Sequence, residues 1–307
     1  MFRYEFLYPF LSLLAFSLYP SLSKIATQSN SSLIVLCLGS FFAYFILLGV
    51  ESFLKQESAG VASLAEKREV VLIAFLKSAL SPLLILIGLQ YSTVAMMAVM
   101  RAVETPVNVV LSSHFLGEKM HRWYWLGSLV TYTGMIAFIT DFFVLPIRFS
   151  WADGLFFLAA LINASGDILY KKYVKNYSLP HFLEQRSFVA GIATMLIIAV
   201  VVLSGYQTTI HVSISASFIL LMLAIAVVPL ILSQYFWHSA VPKASLCNLI
   251  LFESLYILVA PVVAYFLLGE TFTLSQAVSG GIMLLGVLIT HLHTEKNDLR
   301  MVTHRTV

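Results

Sequence analysis

The chain has 307 residues, of which 60% are hydrophobic and only 11% charged, with a formal net charge of +3. Soluble domains average about a quarter charged residues, so most of this surface faces something other than water, and an ordinary soluble domain is excluded. The small positive balance calls for no nucleic-acid partner.

Runs of roughly 20 apolar residues are long enough to cross hydrocarbon as helices. In chain order they fall at about 5–24, 31–54, 70–89, 91–115 and 123–141, then at about 151–170, 185–204, 216–237, 244–267 and 273–292. The first run follows four residues and lacks a small-residue cleavage site, so it reads as a retained helix, not a signal peptide. The polar stretch 55–69 reads as a solvated loop or a short amphipathic helix, and the tail from His293 as a frayed end. Cys37 and Cys247 both fall inside runs, where thiols act as small apolar fillers; neither a disulfide nor a zinc site is expected. With both termini placed inside, thirteen Lys and Arg residues flank the runs on that side, against Lys24 and Arg148 on the other. Cytoplasmic loops retain basic residues, so both termini are expected in the cytoplasm. The other three basic residues, Lys77, Arg101 and Arg186, lie within runs.

Leu116, Gly117 and Glu118 recur 152 positions later as Leu268, Gly269 and Glu270, each triplet closing an apolar run. Gly134 and Gly286 match at the same offset, as do Val107 with Val259 and Val110 with Val262. The expected fold is all-α and integral to the membrane: ten transmembrane helices forming two five-helix repeats, 1–147 and 148–307, the second with a short cytoplasmic tail. Five crossings are odd, so the second repeat is inverted. Gly117 and Gly269 can end helices in the left-handed conformation, and Glu118 and Glu270 would then face the positive end of the following helix. Gly127, Gly134, Gly280, Gly281 and Gly286 allow close helix approach, either within one chain or across a homodimer seam, leaving monomer and homodimer both open.

With ten spans, two five-helix halves and this triplet closing the fourth span of each, the chain resembles the drug/metabolite transporter superfamily, EamA type, over essentially its whole length. The resemblance implies export by alternating access, in the inner or plasma membrane. It also implies a central cavity lined mainly by the first, third, fourth, sixth, eighth and ninth spans. Proline placement departs from the family pattern: Pro106 precedes Glu118 by twelve residues, whereas Pro261 precedes Glu270 by nine.

An ionisable group at bilayer depth costs at least about 2.5–3.5 kcal/mol, so those that persist are functional suspects. Arg101 and Glu104 lie near the middle of the fourth span at i, i+3, on one helix face. Glu253 and Tyr256 stand at the equivalent places of the ninth. One reading is a buried triad in which Glu104 and Glu253 neutralise Arg101 and only fix helix register. The other is a cargo site. One cation and two carboxylates leave a negative surplus suited to an ammonium group, while Arg101 takes a carboxylate bidentately. Phe252 and Tyr256 could stack on the ammonium. Lys77 either reaches back to the interface or lines the cavity. Asn163 and Asp167 could line it too, although Asp167 could instead pair with Lys171 one turn on. Gln234 and Asn248 lie on spans that the resemblance assigns to the cavity. Burial disfavours the charged form of a carboxylate, which makes Glu253, Glu104 and Asp167 candidates for proton coupling.

The chain has no G-x-x-x-x-G-K-[ST] phosphate loop, no H-E-x-x-H and no Cys/His cluster at ligand spacing. No catalytic residue, cofactor or metal is expected. The reading is a transporter exporting a small amphoteric metabolite, an amino acid or derivative, with the lipid bilayer and a proton as further partners. Two rivals stand beside it: an exporter of cationic amphiphiles or drugs, and a structural or lipid-handling membrane protein.

Overall fold

A computed structural model describes residues 4–54, 64–117, 122–140, 150–174, 178–205, 210–242, 249, 255–271 and 273–292. Among them there are helices and no strands. They are α1 (Tyr4–Ser17), α2 (Tyr19–Thr27), α3 (Ser32–Leu54), α4 (Leu64–Ala74), α5 (Ser81–Tyr91), α6 (Val94–Arg101), α7 (Glu104–Leu116) and α8 (Arg122–Thr140) in the first half of the chain. The second half carries α9 (Trp151–Tyr173), α10 (Leu179–Leu203), α11 (Ala216–Ile225), α12 (Ser233–Ala240), α13 (Tyr256–Leu268) and α14 (Leu274–Leu292). Wide π-turns at Phe75–Leu80 and Ala226–Leu232 join α4 to α5 and α11 to α12.

Seven segments of the described residues are long and apolar enough to cross a membrane: Leu7–Thr27, Ser32–Ser52, Arg68–Tyr91, Val94–Leu116, Trp151–Tyr173, Leu179–Leu203 and Ala216–Ala240. The places of the other three expected spans hold α8 and α14, of 19 residues each, and α13, of 13. Most of the ninth expected span before Tyr256 lies outside the described residues. Phe45, Leu129, Leu203, Leu220 and Phe266 are exposed on the outside of the bundle, while Lys77, Arg101, Glu104, Asp167 and Arg186 are buried within it.

Several spans are not the continuous helices that their hydropathy predicts, and proline accounts for the breaks. A proline offers no N–H to the preceding turn and crowds its carbonyl. The first span is interrupted at Leu18, with Pro20 in the first turn of α2. Pro82 follows one π-turn and Pro229 lies inside the other, where the wider i→i−5 bonds of Ser81 to Leu76 and Ser233 to Val228 take up the slack. The seventh span starts at Leu179, six residues earlier than its apolar run, because Pro180 serves as a first-turn residue.

The close helix pairs join the two halves of the chain: α1 with α12, α3 with α10, α5 with α9, α6 with α13, and α8 with α14. The last pair accounts for two of those glycines, Gly134 and Gly286. A Cβ on Gly286 would sit 2.5 Å from Thr131 N and 2.6 Å from Gly127 O, and one on Gly134 would sit 2.8 Å from Met283 N. These glycines therefore serve packing within one chain.

Gly117 and Gly269 end α7 and α13 with φ of 69° and 66°, the left-handed geometry that the repeated triplet requires. Glu270 does not face the following helix, however. Its Oε2 accepts from Val94 N at the start of α6 (3.0 Å), and its Oε1 from Lys24 Nζ (2.7 Å). The start of α14 is already closed by a reciprocal box, Thr273 Oγ1 accepting from Gln276 N and Gln276 Oε1 accepting from Thr273 N. Because α13 packs on α6, Glu270 reaches the positive end of that helix instead. Glu118 lies outside the described residues.

Candidate functional site

The fourth span is two helices. Pro106 cannot donate to Ala102, so the chain crosses the break on i→i−3 bonds, Ala102 N to Val99 O, Val103 N to Met100 O and Thr105 N to Ala102 O, at 3.0–3.3 Å. The break leaves Arg101 at the C-terminus of α6 and Glu104 at the N-terminus of α7. Each charge thus sits at the helix end whose dipole favours it. Arg101 donates to Glu104 Oε2 from Nη2 (2.9 Å) and Nε (3.2 Å). Its guanidinium carbon lies 4.7 Å from the Phe16 ring centre and 5.1 Å from that of Tyr256. Ser12, Ala98, Thr105 and Ile257 complete this pocket.

A second pocket adjoins it, sharing Ser12, Phe16, Arg101 and Glu104. Here Lys77, which lies in the π-turn of the third span, is ion-paired with Asp167 of α9. Asp167 Oδ1 also accepts from Trp237 Nε1 (3.1 Å). Arg186 of α10 donates from Nε to Ser78 Oγ and from Nη1 to Gln234 Oε1. Asn163, Tyr19 and Ser233 line the remaining wall. The two cavities measure about 20 and 40 Å³. That is room for a few waters, far below the roughly 300–1,000 Å³ of ligand sites. The space left among these polar groups is thus small.

Of the residues singled out from sequence, Arg101, Glu104 and Tyr256 meet in the first pocket, and Lys77, Asn163, Asp167 and Gln234 in the second. Asn248, Phe252 and Glu253 lie outside the described residues. Lys77 lines the cavity rather than reaching for the interface. Its stem crosses Gly166, where a Cβ would be 2.3 Å from Lys77 Cγ. Asp167 finds its ion-pair partner across the bundle in Lys77, not along its own helix in Lys171, because its side chain is turned inward and almost fully buried. Sequence reasoning gave no role to Arg186, Ser78, Trp237 or Phe16, and none to Asn108, which is completely buried with neither end of its amide bonded. Away from the cavity, Glu51, His181 and Glu184 bring possible ligand atoms within 4.8 Å of one another. Both ring nitrogens of His181 are already engaged, by Glu184 and Gln185.

The sequence profile of the EamA-like transporter family matches residues 4–140 and again 150–292. The chain belongs to the EamA-like transporter family. It is accordingly an integral membrane protein and a transporter of the drug/metabolite type, not an enzyme. One solved structure, described only as a crystal structure of a protein, aligns with 93% of this EamA-like chain and 97% of its own at 12% identity, with a TM-score of 0.70. That likeness speaks for the fold alone. No curated protein matches the chain.

Proposed function

We propose that this EamA-like protein exports a small amphoteric metabolite, an amino acid or a derivative, by alternating access. The two halves, 1–147 and 148–307, act as inverted five-helix repeats in the inner or plasma membrane, with both termini cytoplasmic. The helix pairing supports this symmetry. Exchanging the halves turns the α1–α12 contact into the α9–α5 contact and maps α3–α10, α6–α13 and α8–α14 onto themselves.

One observation carries the cargo reading: a small polar cavity where both halves contribute buried charge of both signs. Arg101, Glu104 and Lys77 come from the first half, and Asp167 and Arg186 from the second. A zwitterion presents an ammonium and a carboxylate a few ångströms apart, and each can replace one partner of an internal ion pair. In the empty carrier Lys77–Asp167 would join the two halves, which would part as cargo takes over those charges together with those of Arg101 and Glu104. A proton on Glu104 or Asp167 would release the same cations, which is how proton coupling would act here. Tyr256, Asn163 and Gln234 complete the proposed binding set, with Phe252, Glu253 and Asn248 from the neighbouring segment.

The test is counterflow into proteoliposomes of purified protein, using the twenty amino acids and a set of lipophilic cations. Amino-acid flux that falls in Glu104→Gln and Asp167→Asn supports the proposal. Flux of lipophilic cations alone, surviving Arg101→Ala, refutes it in favour of a cation exporter.

A further inference from the structure

We infer that Arg186 is the anion-binding residue of the cavity and that it takes a carboxylate of the cargo; the inference rests on the transport reading above. Arg186 is 7% exposed and faces the larger pocket from α10. Its two hydrogen bonds go to neutral oxygens, the Ser78 hydroxyl and the Gln234 amide. Among the described residues, no carboxylate stands at ion-pair distance from it. Asp167 is near enough to act on it electrostatically, but that carboxylate is committed to Lys77 and the Trp237 indole.

The other described charges of the cavity cancel in pairs, Lys77 with Asp167 and Arg101 with Glu104. Among these described residues Arg186 is the cation left without an ion-pair partner. An uncompensated charge inside a membrane protein is costly and marks a ligand path. A guanidinium has five N–H donors in a planar fork. Two of them are used here, which leaves three, including both on Nη2, for a bidentate acceptor. Arg101 is less receptive, because Glu104 takes its Nε and Nη2 while the rings of Phe16 and Tyr256 lie against it. The planar fork and its remaining donors match the two oxygens of a carboxylate held bidentately.

Counterflow in proteoliposomes tests this with each amino acid beside its methyl ester, its decarboxylated amine and its phosphate ester where one exists. Wild type is expected to prefer the free acid over the ester and the amine by about 10- to 100-fold, the factor that a charged hydrogen-bonded contact supplies. Arg186→Gln should erase that preference. Arg186→Lys, which keeps the charge but loses the fork, should retain part of it. Equal wild-type flux of acid and ester, or an undiminished preference in Arg186→Gln, overturns the inference while leaving the transport reading intact. Preference for the phosphate ester also overturns it. Wild type that carries none of these compounds overturns both. The wild-type comparison decides the matter even where a variant fails to fold.

Discussion

Gly166→Ala is a small change with a specific target. The new methyl carbon would lie 2.3 Å from Lys77 Cγ and 2.7 Å from its Cδ, where carbon atoms normally stand about 3.5–4.0 Å apart. The lysine stem must therefore move by about 1 Å or more. It cannot simply swing away, since its Nζ is held by Asp167, the next residue along the helix that carries Gly166. Overpacking of this kind costs about 1–3 kcal/mol, and about 3–5 kcal/mol if the buried ion pair breaks. We expect Gly166→Ala to lower the melting temperature of the detergent-purified protein and to reduce transport. The same substitution on a Lys77→Ala background should add almost nothing, because Cγ and Cδ are gone. An equal further loss in both backgrounds, read as a double-mutant cycle, would show that the glycine is needed for some reason other than the lysine stem. A fully stable single variant would refute the packing argument outright.

The buried amide of Asn108 has no partner at either end, a penalty of about 1–3 kcal/mol, so Asn108→Leu should raise the melting temperature. Gly286→Ala would press a methyl group onto backbone atoms of α8 that cannot rotate away. It should cost roughly 3 kcal/mol and show as a lower melting temperature with no change in cargo preference. Glu270→Ala removes both the cap on α6 and the ion pair with Lys24, for about 1–2 kcal/mol. Glu270→Gln, which keeps an acceptor for Val94 N, should lose less than about 1 kcal/mol, because that ion pair is partly exposed and screened; the melting curves of the two variants give the comparison.

Membrane class and the repeated triplet are legible in this sequence because they rest on local composition and on glycine's access to positive φ. The helix breaks are less so. A hydropathy run through Pro106 reads as one rod, yet the missing N–H there is what sets Arg101 and Glu104 at opposing helix ends. Arg186 escapes notice for a related reason. An apolar run counted from residue 185 leaves it at the membrane edge, whereas a helix that begins at Leu179 carries it two turns inward. The Lys77–Asp167 pair spans 90 positions, and no periodicity within either helix announces it.

Glu270 ties the start of α6 to a side chain made 176 positions later. During synthesis, the amide of Val94 must therefore wait for most of the second half before it finds this acceptor, while Lys24 has only the Ser92 carbonyl to bond. An N-terminal fragment produced alone would leave the Val94 amide without this acceptor and Lys24 without its ion pair, so the two halves expressed from separate messages should accumulate only when made together.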